Sequence, residues 1–194
     1  MRIVAGAWRG RMLRAPDGQT TRPTSDRLRQ ALFDMLAHAP WAGHGVLDGA
    51  RVLDAFAGTG ALGLEALSRG AAEAVFMERD RAALATLSAN IAACRAEQRA
   101  RILRCDVTAP QRAPAPCDVM FLDPPYARGL VEAGLAALDK TGWLRDGTLV
   151  VAEVASGDVL AIDAERLAER QHGAGRLVIW RHGASRPAGS LTGL

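Results

Sequence analysis

A carboxylate, two prolines and an aromatic ring follow an apolar run in "VMFLDPPY", residues 119–126. The Asp123 carboxylate and the carbonyl oxygen of Pro124 can each accept one hydrogen of an exocyclic amine. Such an amine is a poor nucleophile because its lone pair is delocalised, and these oxygens would stabilise the positive charge that grows during attack. The prolines fix φ without offering a competing N–H, and Tyr126 can stack on a planar base. The motif predicts an amine-presenting site; the alternative is a Pro-Pro turn capped by Asp123.

A second motif, "DAFAGTGALG", has the spacing G-x-G-x-x-G at Gly58, Gly60 and Gly63. These glycines allow a tight turn and close approach of a ligand to the backbone at a helix N-terminus. The spacing alone is weakly specific, but a predicted strand precedes it and a predicted helix follows it. Glu78 lies 20 residues after Gly58, where a carboxylate can accept both hydrogen bonds of a ribose diol. The alternative interpretation of Glu78 is a solvated acid at a strand end.

The ligand of the glycine loop is indicated by Asp54, which lies between the strand and the glycines. Nicotinamide dinucleotides and S-adenosylmethionine both place a ribose against an acid at the position of Glu78. An acid at Asp54 is poorly suited to a pyrophosphate and well suited to the ammonium group of a cationic ligand. A small NAD-dependent oxidoreductase also needs an acid/base pair for hydride transfer, and the sequence offers no candidate. We therefore expect S-adenosylmethionine.

The elements that must position these motifs alternate between strands and helices from residue 51 to residue 155. This pattern predicts an α/β fold with a doubly wound, mostly parallel, seven-stranded sheet of Rossmann-like type. The strand "VMFL" should then lie beside the strand of the glycine loop, across the switch point where ligands bind. The segment 166–181 predicts an antiparallel hairpin at a sheet edge. Residues 1–15 predict a small β-hairpin, followed by a helix that begins near Thr24 or Ser25.

These elements suggest three parts of the chain. Residues 1–45 would form an N-terminal extension of hairpin and helix that docks a substrate. Residues 46–183 would form the cofactor-binding domain. Residues 184–194 are small and polar, and we expect them to be disordered.

Positive charge is concentrated in the N-terminal extension. Residues 1–30 contain seven arginines and two acids, a sum of +5, so the remaining residues sum to −2 in a chain of net charge +3. A guanidinium group suits phosphate and also stacks on bases. The arginines expected to contact a nucleic acid are Arg9, Arg11, Arg22 and Arg27. Trp8 would either stack on that nucleic acid or pack the hairpin, and the alternative for the whole cluster is a solvated basic face.

Several classes of protein are disfavoured by the sequence. The three cysteines show no CxxC pairing, so we expect neither a disulfide framework nor a zinc site, and the four histidines have no ligand spacing. No cysteine stands where a carbon-5 pyrimidine methyltransferase would need its nucleophile. No apolar run approaches the roughly 18 residues of a membrane span, and the first residues lack the apolar core of a signal peptide. We expect a cytoplasmic protein without a metal.

Four segments in order carry a family resemblance: "MRIVAGAWRGRML", "TRPTSDRLRQALFDML", "LDAFAGTGALGLEALSRGA" and "FLDPPY". Residues 48–154 look like a class I S-adenosylmethionine-dependent methyltransferase, and "DPPY" is similar to the motif of the amino methyltransferases. Together the segments resemble the bacterial 16S ribosomal RNA guanine-N2 methyltransferase family. The resemblance covers nearly the whole chain up to about residue 183. It implies S-adenosylmethionine as the cofactor and 16S ribosomal RNA or the small ribosomal subunit as the partner. We expect the protein to act as a monomer.

The resemblance also implies two sets of site residues. The set that contacts the cofactor comprises Asp54, Gly58, Gly60, Glu78 and Asp106. Within it, Glu78 would bind the ribose and Asp106 would approach the adenine amine, although an acid at this position is also a common loop cap. The set that holds the target base comprises Asp123, Pro124, Pro125 and Tyr126.

Other functions use similar motifs and remain open at this point. Adenine-N6 and glutamine-amide methyltransferases also carry an acid or asparagine before Pro-Pro-Tyr. An adenine-specific DNA enzyme usually needs a sizeable target-recognition domain, for which the chain has no room. A non-catalytic RNA-binding protein would not need the complete glycine loop, Glu78 and "DPPY".

Overall fold

The computed structural model describes residues 1–15, 26–43, 45–125, 129–162, 164–173 and 175–183. Its strands are β1 (Arg51–Ala55), β2 (Glu73–Glu78), β3 (Ala100–Arg104), β4 (Val119–Leu122), β5 (Leu149–Ala155), β6 (Arg166–His172) and β7 (Gly175–Arg181). Its α-helices are α1 (Asp26–His38), α2 (Ala61–Ser68), α3 (Arg81–Cys94) and α4 (Leu130–Lys140). Short 3-10 turns span Gly6–Trp8 and Pro40–Ala42. No helix in these described ranges is long and apolar enough to cross a membrane.

The strands form one seven-stranded sheet in the order β3-β2-β1-β4-β5-β7-β6. Strands β1 to β5 are parallel to one another, whereas β7 runs antiparallel to both β5 and β6. The chain leaves β1 toward β2 and β3 and then crosses back to β4 on the other side. The predicted doubly wound sheet with an antiparallel C-terminal hairpin is therefore confirmed, and its switch point lies between β1 and β4.

The central strands are apolar almost throughout because helices cover both faces of the sheet. Alternate apolar residues of β1 to β5 and of β7 belong to two separate hydrophobic clusters. The first cluster contains Val52 and Phe121 with apolar residues of α1, α2 and α3. The second contains Leu53 and Met120 with apolar residues of α4. Because side chains alternate between the two faces of the sheet, the position of a residue within its strand predicts the face to which it belongs.

The N-terminal hairpin packs on the first face and shares its core. Its two arms meet in the antiparallel bridge between Arg2 and Met12, and Ile3 and Leu13 are buried in the same cluster as α1 and the sheet. Gly6 has φ 80°, and a Cβ built there would lie 1.9 Å from the carbonyl oxygen of Ser68 at the end of α2. Only glycine allows the hairpin to approach α2 so closely.

A buried carboxylate in α2 ties this hairpin to the domain. Glu65 is fully buried, and its oxygens accept hydrogen bonds from the backbone N–H of Val4 at 2.7 Å and of Ala5 at 3.0 Å. The same carboxylate pairs with Arg69 Nε at 2.8 Å and lies 3.7 Å from Nε of the buried Arg29. Nothing in the periodicity of α2 predicts this network, because Val4, Ala5 and Arg29 lie far from Glu65 in the sequence.

Candidate active site

Three carboxylates meet at the carboxyl edge of the parallel strands. Asp54 on β1 is in register with Phe76 on β2 and with Phe121 on β4. Glu78 and Asp123 follow those phenylalanines by two residues, so alternation places both on the same face of the sheet as Asp54. The negative charges of Asp123 and Glu78 add to the rise of the pKa of Asp54 that burial causes, in agreement with this placement. The structure therefore brings the glycine-loop acids and the first residue of "DPPY" together.

Asp54 is a buried acid, only 2% exposed, and its Oδ2 accepts a hydrogen bond from the N–H of Gly63 at 2.8 Å. Burial raises the pKa of Asp54 well above its usual value, and the negative charges of Asp123 and Glu78 raise it further, against the lowering effect of the Gly63 N–H. A bound cation would lower the pKa of Asp54 by favouring its ionised form. Asp54 should therefore stabilise a positively charged ligand at this site.

The glycine loop connects β1 to α2 through left-handed backbone at Phe56, Gly58 and Gly60, with φ of 64°, 53° and 79°. Phe56 is not a glycine, and strained backbone of this kind is common at functional sites. A Cβ at Gly60 would lie 2.4 Å from the side chain of Leu87, so this glycine allows the loop to pack on α3. A Cβ at Gly58 would meet no side chain within 4 Å, which leaves open space on the ligand side of the loop.

Glu78 is held by backbone N–H groups rather than left to solvent. Its Oε2 accepts from Gly58 at 2.8 Å, and its Oε1 accepts from Arg79 at 2.7 Å and from Asp80 at 2.8 Å. Asp80 in turn caps α3 through the N–H of Ala83 at 2.8 Å. Glu78 therefore orients the glycine loop and the start of α3 relative to each other. Its contact with a ribose stays a prediction.

We expect Glu78→Ala to weaken binding of S-adenosylmethionine by about 1–3 kcal/mol, the scale for losing hydrogen bonds to a charged group. The substitution removes the proposed ribose acceptor and also releases the N–H of Gly58. Isothermal calorimetry measures this loss. Glu73→Ala, at the other end of β2, removes an ion pair with Arg51 and should leave the affinity unchanged. Equal affinity of Glu78→Ala and the wild type would remove Glu78 from the site.

Asp54→Asn is expected to stabilise the ligand-free protein at neutral pH. Because the folded-state pKa of Asp54 is raised, the native state binds its proton more tightly than the unfolded chain does. The stability that this proton contributes is present below the usual pKa of 3.8 and is lost as the pH rises through the folded-state value. Asparagine cannot ionise and so avoids that loss.

The measurement for Asp54→Asn is urea denaturation at a series of pH values. The gain over the wild type should be present at pH 7 and disappear below about pH 4. Affinity for a cationic cofactor should fall in the same variant, because the amide carries no charge. A variant that is less stable than the wild type at pH 7 would contradict the proposed cost of ionising Asp54.

Asp106 caps the turn after β3. Its Oδ1 accepts from the N–H of Thr108 at 2.9 Å and from its hydroxyl at 2.7 Å, and its Oδ2 pairs with Arg79 at 2.7 Å. The N–H and hydroxyl of Thr108, with Arg79, lower the pKa of this carboxyl. Asp106 therefore has the loop-cap role that the sequence analysis gives as its alternative. Its contact with an adenine amine stays a prediction.

The motif "DPPY" opens onto a cavity of about 370 Å³. Asp123 is half-buried, Pro124 is buried and Pro125 is exposed. Both prolines line the cavity, together with the first turn of α4 and the chain that follows β5. Tyr126 lies outside the described residues. The buried Pro124, which directly follows Asp123, thus brings one of the two predicted acceptors into the lining of a space of ligand size.

The arginines of the N-terminal extension do not all face solvent. Arg9, Arg11 and Arg27 are exposed, and the Arg11 guanidinium donates to the carbonyl oxygen of Ala93 in α3. Arg29 is fully buried and pairs with Asp26 at 2.8 Å. Its charge is therefore not available to a nucleic acid, and the count of +5 overstates the basic surface. Arg22 lies outside the described residues.

Trp8 packs the hairpin. It is half-buried against the first hydrophobic cluster, and the Arg99 guanidinium lies 5.1 Å above its ring. Of the two roles considered for Trp8, the structure supports packing.

Asn90 is a site residue that the sequence interpretation missed. It is buried in α3, and its amide donates to the carbonyl oxygens of Thr59 at 2.9 Å and Arg14 at 3.1 Å. Its Oδ1 accepts from the N–H of Arg14 at 2.8 Å. Asn90 thus fastens the glycine loop to the end of the N-terminal hairpin. The available signal was a polar residue on the apolar face of a predicted helix.

The described ranges contain no group of three or more histidine, cysteine, aspartate or glutamate side chains that could hold a metal ion. Cys117 is buried, and burial raises the pKa of its thiol to about 12, so it is not a nucleophile at neutral pH.

Comparison with known proteins places this geometry in a family. Residues 1–181 match the family model described as conserved hypothetical protein 95. The chain is 43% identical over 155 residues to "Ribosomal RNA small subunit methyltransferase D" of Escherichia coli, which covers 79% of this chain and 74% of the relative. It resembles the solved structure of "Putative methyltransferase yhhF from Escherichia coli" with a TM-score of 0.80 and 38% identity, over 93% of this chain and 97% of that chain.

A more distant structure has the same fold. An RNA methyltransferase from Salinibacter ruber, solved in complex with S-adenosyl-L-homocysteine, superposes with a TM-score of 0.64 at 14% identity, over 86% of this chain and 97% of that chain. The fold is thus that of the class I methyltransferases. With a family model that matches nearly its whole length, the chain belongs to the bacterial small-subunit ribosomal RNA methyltransferase family that its motifs resemble.

Proposed function

We propose that this protein transfers a methyl group from S-adenosylmethionine to the exocyclic N2 amine of one guanine in 16S ribosomal RNA. The observation that carries the proposal is the position of Asp123 and Pro124 at the end of β4, directly across the switch point from the glycine loop. The Escherichia coli relative is named for the same RNA class. A ribosomal substrate also implies that the protein acts in the cytoplasm, and we propose that it does so as a monomer.

S-adenosylmethionine is the cofactor, and the residues at the switch point fit it. The cofactor carries a sulfonium and an ammonium group, and the site presents Asp54, Glu78 and Asp123 on one face of the sheet. A pyrophosphate would add negative charge beside a carboxyl whose pKa is already raised by burial and by the neighbouring acids. We propose that Asp54 and the backbone at Gly58 and Gly60 hold the methionine part.

When bound, the cofactor would supply a methyl group on a positively charged sulfur, and that sulfur would keep the bonding electron pair. Asp123 and the carbonyl oxygen of Pro124 accept the two hydrogens of the amine and orient its lone pair toward the methyl carbon. As the nitrogen becomes tetrahedral and positive, both hydrogen bonds strengthen, so they stabilise the transition state more than the ground state. The nitrogen then releases one proton along its bond to Asp123, from which water removes it.

The test is transfer of labelled methyl groups to unmodified 16S ribosomal RNA and to small ribosomal subunits, followed by nucleoside analysis. The proposal expects N2-methylguanosine at one position. N6-methyladenosine, or label in a protein glutamine, would assign the chain to one of the related amino methyltransferase activities. Binding of RNA and cofactor without transfer to either substrate would favour a non-catalytic RNA-binding protein.

We expect the exposed arginines of the extension to contribute phosphate contacts. If Arg9, Arg11 and Arg27 each meet a phosphate, Arg→Ala at all three should weaken RNA binding and flatten the slope of log affinity against log salt by roughly 0.7–1 per arginine. Filter binding across a salt series measures both quantities, and cofactor affinity should not change.

A matched control removes three exposed arginines outside the extension, within β3 or shortly after it: Arg101, Arg104 and Arg112. The change in net charge is the same, so the control separates specific phosphate contacts from a general loss of positive charge. Equal slopes for the two triple variants would place the RNA-docking face elsewhere.

A further inference from the structure

The cavity beside "DPPY" has one wall that the proposed reaction does not yet use. Its lining includes Pro124 and Pro125, Glu132 in the first turn of α4, and the chain from Glu153 at the end of β5 to Leu160. A carboxylate that lines a base-sized cavity can accept hydrogen bonds from the edge of a base. Two glutamates of this wall, Glu132 and Glu153, are therefore candidates to recognise the target base.

The register of the sheet favours Glu153. Leu122, the last residue of β4, pairs with Ala152 of β5. Continuing this parallel register by one residue puts Asp123 next to Glu153. Adjacent strands lie about 4.8 Å apart, which brings these two side chains within reach of one planar ligand.

The sheet faces lead to the same choice. Val151 and Phe121 belong to the first hydrophobic cluster, and Glu153 and Asp123 each follow by two residues, so both acids lie on that face. Glu132 lies on α4, whose apolar residues belong to the cluster on the opposite face. A base whose amine is held by Asp123 is therefore placed against Glu153 rather than Glu132.

The edge of guanine next to its N2 amine carries a donor, the N1–H. In adenine, and in 2-aminopurine, the N1 atom is an acceptor with no hydrogen. A carboxylate beside the amine thus attracts guanine and repels the lone pair of the other two bases, and a site built to bond a donor strongly rejects an analogue that lacks it. Given the proposed guanine-N2 activity, on which this step rests, we propose that Glu153 selects guanine by accepting the hydrogen bond of its N1–H.

The experiment compares two bases at the methylated position, once nucleoside analysis has located it. One RNA carries guanine there and the other carries 2-aminopurine, which retains the N2 amine but offers an acceptor at N1. The wild-type protein should methylate guanine with a kcat/KM about 10- to 100-fold higher. In Glu153→Gln the side-chain NH₂ can donate to the N1 of 2-aminopurine, so the ratio should fall by roughly 10-fold or more, partly through a gain on 2-aminopurine.

Glu132→Gln is the matched control, because it makes the same change on the side of the cavity formed by α4 and should keep the wild-type ratio. A gain on 2-aminopurine cannot result from damage to the fold. If Glu153→Gln does not fold, Glu153→Ala is measured in the same way, and its preference for guanine must fall.

The proposal is overturned if folded, cofactor-binding Glu153→Gln keeps the wild-type ratio or is inactive on both bases. This failure differs from failure of the proposed function. In the first case the wild-type protein still produces N2-methylguanosine, whereas in the second it does not.

Discussion

Asp123→Ala should lower the rate of methyl transfer by about 100- to 1,000-fold, the usual effect of removing one preorganised group that stabilises transition-state charge. Affinity for S-adenosylmethionine should stay within a few-fold of the wild type, because the hydrogen bond to the amine forms with the base and strengthens during attack. Asp123→Asn should lie between the two, since its amide oxygen still accepts one hydrogen bond. Single-turnover transfer measures the rate, and calorimetry measures the affinity.

The control is Asp139→Ala, which removes an exposed carboxylate on α4 that pairs with His182 at 3.0 Å. It should leave both quantities unchanged. Full activity of Asp123→Ala would disprove the amine-holding role of "DPPY". A variant that loses cofactor affinity as strongly as rate would assign Asp123 to the cofactor site instead.

The convergence of the active-site acids could be predicted from the sequence because it depends on local patterns. Each acid follows an apolar run, the runs alternate with helices, and parallel strands end at one edge of the sheet. These rules place Asp54, Glu78 and Asp123 at the same edge before any contact is known. The order β2-β1-β4 then follows from the switch point, and the structure has that order.

Polar contacts inside the protein could not be predicted in this way. The partners of Glu65 lie 60 and 61 residues away in the hairpin, and no periodicity encodes such pairing. Arg29 belongs to a basic segment by sequence, yet its side chain is fully buried. Counting charges assumes that charged residues are exposed, and this assumption fails wherever a buried network compensates them. The spacing of the sequence motifs likewise does not predict the hydrogen bonds that the backbone N–H groups of Gly58, Arg79 and Asp80 donate to Glu78.

The contacts of Asn90 show why the extension and the cofactor domain depend on each other. One carboxamide bonds Thr59 in the glycine loop and Arg14 at the end of the hairpin. A displacement of the hairpin would therefore strain the loop that is proposed to hold the cofactor. The extension is thus part of the framework of the active site as well as a proposed RNA-docking surface, and its attachment through Glu65 has consequences for stability.

Glu65→Ala should lower the free energy of unfolding by about 3–5 kcal/mol, the range for removing one partner of a buried ion pair. The loss would leave the fully buried Arg29 without its 3.7 Å partner and would leave the N–H groups of Val4 and Ala5 without their acceptor. Urea denaturation measures the change. Glu97→Ala removes an exposed acid that forms no ion pair within the described residues and should stay within about 0.5 kcal/mol of the wild type.

Proteolysis of Glu65→Ala separates loss of the hairpin attachment from general loss of stability. If Glu65 fastens the hairpin, the chain near residues 1–15 should be cut faster than in the wild type under conditions where both proteins remain folded. Cleavage should not accelerate in Glu97→Ala. A Glu65→Ala protein that loses less than about 1 kcal/mol and keeps its N-terminus protected would show that apolar packing of Ile3 and Leu13 holds the extension in place without the buried carboxylate.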